Sequence, residues 1–215
     1  MGKIVLATII ISGSAKWLLK VGGNKEKWYG SDRIFMYVMT VFGAMAVNYS
    51  ERCTEYGWVV SNLRLLAGCL LAGGLLSAAY MDRRHCWVYN YVWWWCLPWA
   101  GILGLTADGD FSGIVAVLVF VMLQQLLFSR MYGKADCHAF SVCALAECGN
   151  AVGMVGFLLQ MFLSVVLLTI VQLFRGNVTP RGRLREPQPF IPYIITAFFF
   201  VTFFESVFRI THIYA

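Results

Sequence analysis

The chain is short of charge. Only 13% of its 215 residues are Asp, Glu, Lys or Arg, while 60% are hydrophobic. A water-soluble domain carries about 25% charged residues, and one of this size could not hide so much apolar surface. A soluble enzyme or carrier is therefore excluded. Histidine is scarce, at three residues, and the seven cysteines (Cys53, Cys69, Cys86, Cys96, Cys137, Cys143, Cys148) form neither a C-x-x-C pair nor a cluster with histidine. Most lie in or beside apolar runs, where cysteine behaves as a small hydrophobe. No disulfide framework, structural zinc, other metal or cofactor is expected. The formal charge of +6 is explained by basic loops on the inner side of a membrane, without nucleic acid as a partner.

What the chain has instead is long apolar runs, several near the ~20 residues that cross a bilayer. They are continuous rather than alternating, and in lipid only helices or closed barrels satisfy every backbone group. The expected class is an all-α, polytopic helical membrane protein. The runs are Gly2–Leu19, Ile34–Tyr49, Val59–Met81, Trp87–Leu105, Phe111–Met131, Cys137–Cys148, Ala151–Phe174 and Phe190–Tyr214. The first begins like a signal peptide, but the basic residues after it read as a cytoplasmic flank. Cys137–Cys148 is too short to span comfortably unless other helices bury it.

All Lys and Arg except Lys3, Arg52, Arg64 and Arg209 fall in four segments: 16–33, 83–84, 130–134 and 175–185. Assigning these to the cytoplasm fixes the orientation. It implies eight membrane segments with both termini outside, or seven if the first run only lies on the membrane.

Two acids sit at ends of apolar runs, Asp82 after Met81 and Asp136 before Cys137. An even number of crossings separates them, so both occupy the same membrane face. An acid at the membrane is a functional-site hypothesis by default. Two carboxyls sharing one proton can activate water, because like charges close together cannot both ionise cheaply. The plain alternative pairs each acid with a neighbouring base, Asp82 with Arg83 or Arg84 and Asp136 with Lys134.

Three motifs bear on the choice. Asp82 is followed eight positions on by Asn90, within Val88-Tyr89-Asn90. The second acid stands in Gly133-Lys134-Ala135-Asp136-Cys137-His138, and the last run opens on Pro189-Phe190-Ile191-Pro192-Tyr193. In this order the motifs resemble those of the type IV prepilin peptidases and the related archaeal preflagellin peptidases. That family has Ile-Pro-Asn after the first Asp, Gly-x-Gly-Asp followed by x-Lys at the second, and Pro-Phe-x-Pro-Phe/Tyr opening the last helix. Here Tyr89 replaces the Pro, Ala135 the second Gly and His138 the Lys.

The resemblance covers about Val59–Ile210 and implies an intramembrane aspartyl endopeptidase of the GxGD type, as a divergent member. Asp82 and Asp136 would be catalytic, with Gly133, Ala135, His138, Asn90, Pro189 and Pro192 shaping the site. The substrate it implies is a pilin-like precursor (prepilin, pseudopilin or preflagellin), cleaved of its short basic leader at the cytoplasmic boundary of a prokaryotic inner membrane. Residues 1–50 then form an accessory N-terminal helical hairpin, and 51–215 the prepilin-peptidase-like membrane core. His138 either bonds in place of the Lys or caps a helix end. Alanine at 135 costs little at helical or extended angles but is disfavoured at positive φ. The rival readings are an ion- or proton-coupled transporter and an inactive, peptidase-derived scaffold.

The other polar residues have local readings. Glu205 and Arg209 stand at helical spacing for an ion pair, and a polar turn suffices for Glu147. Arg64 can snorkel to the interface. Gly68, Gly73 and Gly74 belong to a small-residue surface for close helix packing.

Overall fold

An apolar run in lipid has no water to bond its backbone, so it folds on itself as an α-helix. A computed structural model describes residues 2–23, 30–52, 57–106, 111–127, 133–148, 153–175 and 188–213. Among them eight helices form and no strand: α1 Gly2–Val21, α2 Gly30–Arg52, α3 Trp58–His85, α4 Asn90–Leu105, α5 Phe111–Leu127, α6 Lys134–Glu147, α7 Gly153–Phe174 and α8 Ile191–Ile213. Each apolar run corresponds to one helix. Three, namely α1, α3 and the Met154–Phe174 stretch of α7, are long and apolar enough to cross a membrane.

At their polar ends several helices overrun the apolar runs. α2 begins at Gly30 rather than Ile34, α3 ends at His85 rather than Met81, and α6 begins at Lys134 rather than Cys137. The overrun places Asp32, Asp82 and Asp136 inside helical turns instead of in links.

The 28-residue α3 is the hub, packing against α1, α2, α4 and α8. Its glycines make this possible by giving each neighbour its own gap. A Cβ on Gly68 would stand 2.8 Å from Val47 Cγ1 of α2, and one on Gly73 would collide with Ser14 Oγ and lie 2.9 Å from the Ile11 carbonyl of α1. One on Gly74 would collide with Cys96 Sγ and approach Trp95 Cδ1 of α4 at 3.0 Å. In lipid, where apolar surface gains little by leaving its solvent, such close approach supplies the packing energy. α1 and α2 also pack on each other, and α2 runs along α8, so both N-terminal helices are integrated with the bundle. On the other flank α6 meets α4, α5, α7 and α8.

α3 ends on Cys86, in the left-handed region at φ 54°, with its N–H donated to the Asp82 carbonyl at 2.8 Å. Glycine is the usual residue for such a cap. The short link Trp87–Tyr89, extended at Tyr89, then leads the chain back into α4 beside α3.

Candidate functional site

Asp136 is the third residue of α6. Gly133, extended at φ −62° and ψ 152°, precedes the helix and donates its N–H to Asp136 Oδ2 at 3.2 Å. An acid in a first turn also complements the positive end of the helix dipole. Gly133 is not left-handed, and a Cβ there would lie 3.3 Å from Asp136 Oδ2, so the carboxyl would have to yield by a few tenths of an ångström. Ala135 lies in the first turn of α6, and among the described residues Cys86 is the only non-glycine at positive φ. Alanine is therefore unstrained at 135. Asp136 is half-buried, and loss of water around it pushes its carboxyl up to about 6, against the opposing pull of the Gly133 N–H.

Asp82 comes from α3 but is held by a different helix. It is buried, and its Oδ2 accepts the Ile191 N–H at 3.0 Å. The Phe190 N–H is also directed at it. Ile191 is the first residue of α8, and Pro192 follows it without an N–H to offer. The first N–H groups of any helix lack internal partners, so Asp82 caps α8 from outside and gains from its dipole. This gives the proline group its physical role: it sets a helix start whose free N–H groups grip the first acid.

The alternative pairing of Asp82 with its neighbouring arginines does not occur in the ion pairs observed. Arg83 Nε and Arg84 Nε each bind one oxygen of Asp32, both at 2.7 Å. Asp32 lies in the first turn of α2 and is only 8% exposed. Nor does Lys134 form an ion pair with Asp136 among the described residues.

Asp82, Asp136, Asn90, Gly133, Ala135 and His138 all line one cavity of about 480 Å³. Pro189 and Pro192 do not line it but stand just before and just after Ile191, the first residue of α8; their neighbour Gln188 reaches the cavity, as do Trp87 and Trp93. His138 is half-buried, its ring 6.0 Å from that of Trp93. A second hollow of about 300 Å³ continues from Asn90, Trp93 and His138 between α4 and α6. It is bordered by the exposed Trp94 and Leu97.

Sequence reasoning missed Asp32, Gln188 and the backbone of Ile191. Asp32 had a signal: it is an acid on the same assigned face as Arg83 and Arg84. The backbone donors had none, since an N–H is common to nearly every residue.

At the opposite end, two local readings need correction. Glu147 is not in a polar turn: it is the last residue of α6, 3% exposed, and among the described residues neither carboxyl oxygen has a hydrogen-bond partner. It borders a cavity of about 40 Å³ with Arg64, Ser50 and Thr202. Arg64 does not snorkel outward. It is 3% exposed and donates to the Leu103 carbonyl and Thr106 Oγ1, both at 2.9 Å. Arg209's side chain, and with it the suggested pair with Glu205, lies outside the described residues. No protein-family model, curated protein or solved structure matches this chain.

Proposed function

We propose that the chain is an intramembrane aspartyl endopeptidase of the prepilin peptidase type. The carrying observation is that Asp82 and Asp136 border one cavity, each anchored by backbone N–H groups at a helix start, with the nearest arginines engaged elsewhere. Such a pair holds one proton between them and titrates as a unit. The ionised carboxyl takes a proton from water as that water attacks a peptide carbonyl. The protonated one donates to the carbonyl oxygen, and the departing amine takes up a proton as the C–N bond breaks. Asn90 and His138 shape the cavity, and no metal or cofactor enters the reaction.

In this reading seven or eight helices are membrane segments, and the aspartates face the cytoplasm at the inner membrane of a prokaryote. The substrate is a pilin-like precursor with a short basic leader ahead of an apolar helix. Its apolar helix, rather than the leader, would provide docking, since the face is itself basic. Co-expression with such a precursor, followed by its mass, tests the reading. Processing is expected in the native protein and lost in both Asp82→Asn and Asp136→Asn; processing that survives either change rejects the pair.

One observation favours a second reading, an ion- or proton-coupled carrier: Glu147 is an acid buried in the bundle with no hydrogen-bond partner among the described residues. Ion flux in vesicles that requires Glu147 would support the carrier over the peptidase.

A further inference from the structure

We propose that Asp32 is a positioning residue of the aspartate site, holding Arg83 and Arg84 away from Asp82 so that its carboxyl is left to α8 and to Asp136. This rests on the peptidase reading for its consequence, but its geometry can be tested without that reading.

Arg83 and Arg84 are the next two residues after Asp82, on long side chains able to fold back toward it. A guanidinium within ~4–6 Å of a carboxyl favours its charged form. A pair that must keep one member protonated would be disabled by such a neighbour. Asp32 removes this threat by giving one oxygen to each arginine at 2.7 Å. Aromatic rings back both contacts: Arg83 Cζ lies 5.2 Å from the Phe35 ring centre and Arg84 Cζ 5.9 Å from that of Tyr80. Phe35 stands one turn beyond Asp32 on α2, and Tyr80 one turn before Arg84 on α3, so each helix contributes half of the clamp.

Among the described groups around Asp82, none substitutes for Asp32. α6 presents Asp136, Lys134 and His138, and α3 itself adds His85 and Cys86. α4 has no charged side chain, and α8 offers backbone N–H groups. On α1, Lys16 and Lys20 are exposed. None of these is an acid other than Asp136, which the chemistry needs. The N-terminal hairpin thus supplies a residue on which the site depends.

The test uses the full chain in lipid nanodiscs, with two readouts: cleavage of a synthetic pilin-like precursor, and modification of Asp82 by a hydrophobic carbodiimide, quantified by mass spectrometry. Carbodiimides react with protonated carboxyls, so an arginine released onto Asp82 suppresses the label whatever the protein's activity. In Asp32→Asn, labelling and cleavage are both expected to fall about tenfold, the change that one pKa unit produces. Asp32→Glu should recover most of each. The triple variant Asp32→Asn/Arg83→Gln/Arg84→Gln should return labelling to within about twofold of native, because no cation remains to be restrained.

A purely structural bolt between α2 and α3 would be broken in the triple variant as well. Labelling that stays low there overturns the proposal, as does native labelling in folded Asp32→Asn. If Asp32→Asn fails to fold, Asp32→Ser takes its place, alone and combined with Arg83→Gln/Arg84→Gln, and is judged by the same two outcomes. Absence of cleavage by the native protein would reject the peptidase reading and leave the labelling result to judge Asp32.

Discussion

The two ends of α6 carry acids in opposite circumstances. Asp136, at its start, receives the Gly133 N–H and borders a cavity of about 480 Å³; Glu147, at its end, has no donor among the described residues and borders one of about 40 Å³. The helix dipole favours negative charge at the first position and opposes it at the second. Asp82 too lies near the end of its helix and faces the same unfavourable dipole. It escapes because the start of α8 is brought against it. What separates a usable acid from a stranded one here is thus access to a helix start, together with room for water.

The largest effect expected from this contrast is on activity. Asp82→Asn or Asp136→Asn should lower precursor cleavage by at least about a thousandfold, in line with loss of a group acting in the transition state. Glu147→Gln should leave cleavage within about threefold; an equal loss at both ends would erase the distinction between them.

Stability should move next. Glu147→Leu removes a buried acid with no partner and is expected to stabilise the protein by about 1–3 kcal/mol, read from thermal unfolding in detergent. A lower melting temperature would mean that Glu147 has a ligand worth keeping.

The pH dependence sharpens the comparison further. Asp136 binds its proton more tightly in the folded protein, at about 6 against 3.8 when free. Its relative contribution to stability is therefore greatest below pH ~4 and declines as pH rises to ~6, as linkage requires. Above pH ~6, Asp136→Asn should melt higher than the native protein while being inactive. If the two proteins melt alike from pH 4 to 7, the folded site exerts no such hold on the proton.

The smallest change concerns Ala135. Because this residue is helical, Ala135→Gly should cost about 0.5–1 kcal/mol of stability and give no gain in cleavage. A severalfold gain would show that the turn needs a freedom that the helix start of α6 does not express.

Much of this was legible in the residues. Apolar runs marked all eight helices because hydrocarbon demands both apolarity and closed backbone bonding. Parity of crossings placed Asp82 and Asp136 on one face, and they do border one cavity. The helix ends were harder to read, since capping groups carry a helix past the apolar boundary, which is how Asp32 came to lie in a turn of α2 rather than in a link. The Asp82–Ile191 contact was beyond reach, because it joins a side chain to an N–H 109 positions away. Glu147 was misread for a related reason: sequence gave it a polar link as neighbour, but packing enclosed it.

The length of α3 has one more consequence. Its 28 residues rise ~42 Å, whereas the acyl-chain layer is ~30 Å thick. With Trp58, a residue suited to the lipid headgroups, at one end of the rod, the surplus falls at the other, where Asp82 stands. On the proposed orientation the acids therefore meet the aqueous phase at the headgroups, and no wetted channel through the lipid is required. On the peptidase reading it is the precursor that must travel, drawing its scissile bond out of the oil to where water already waits.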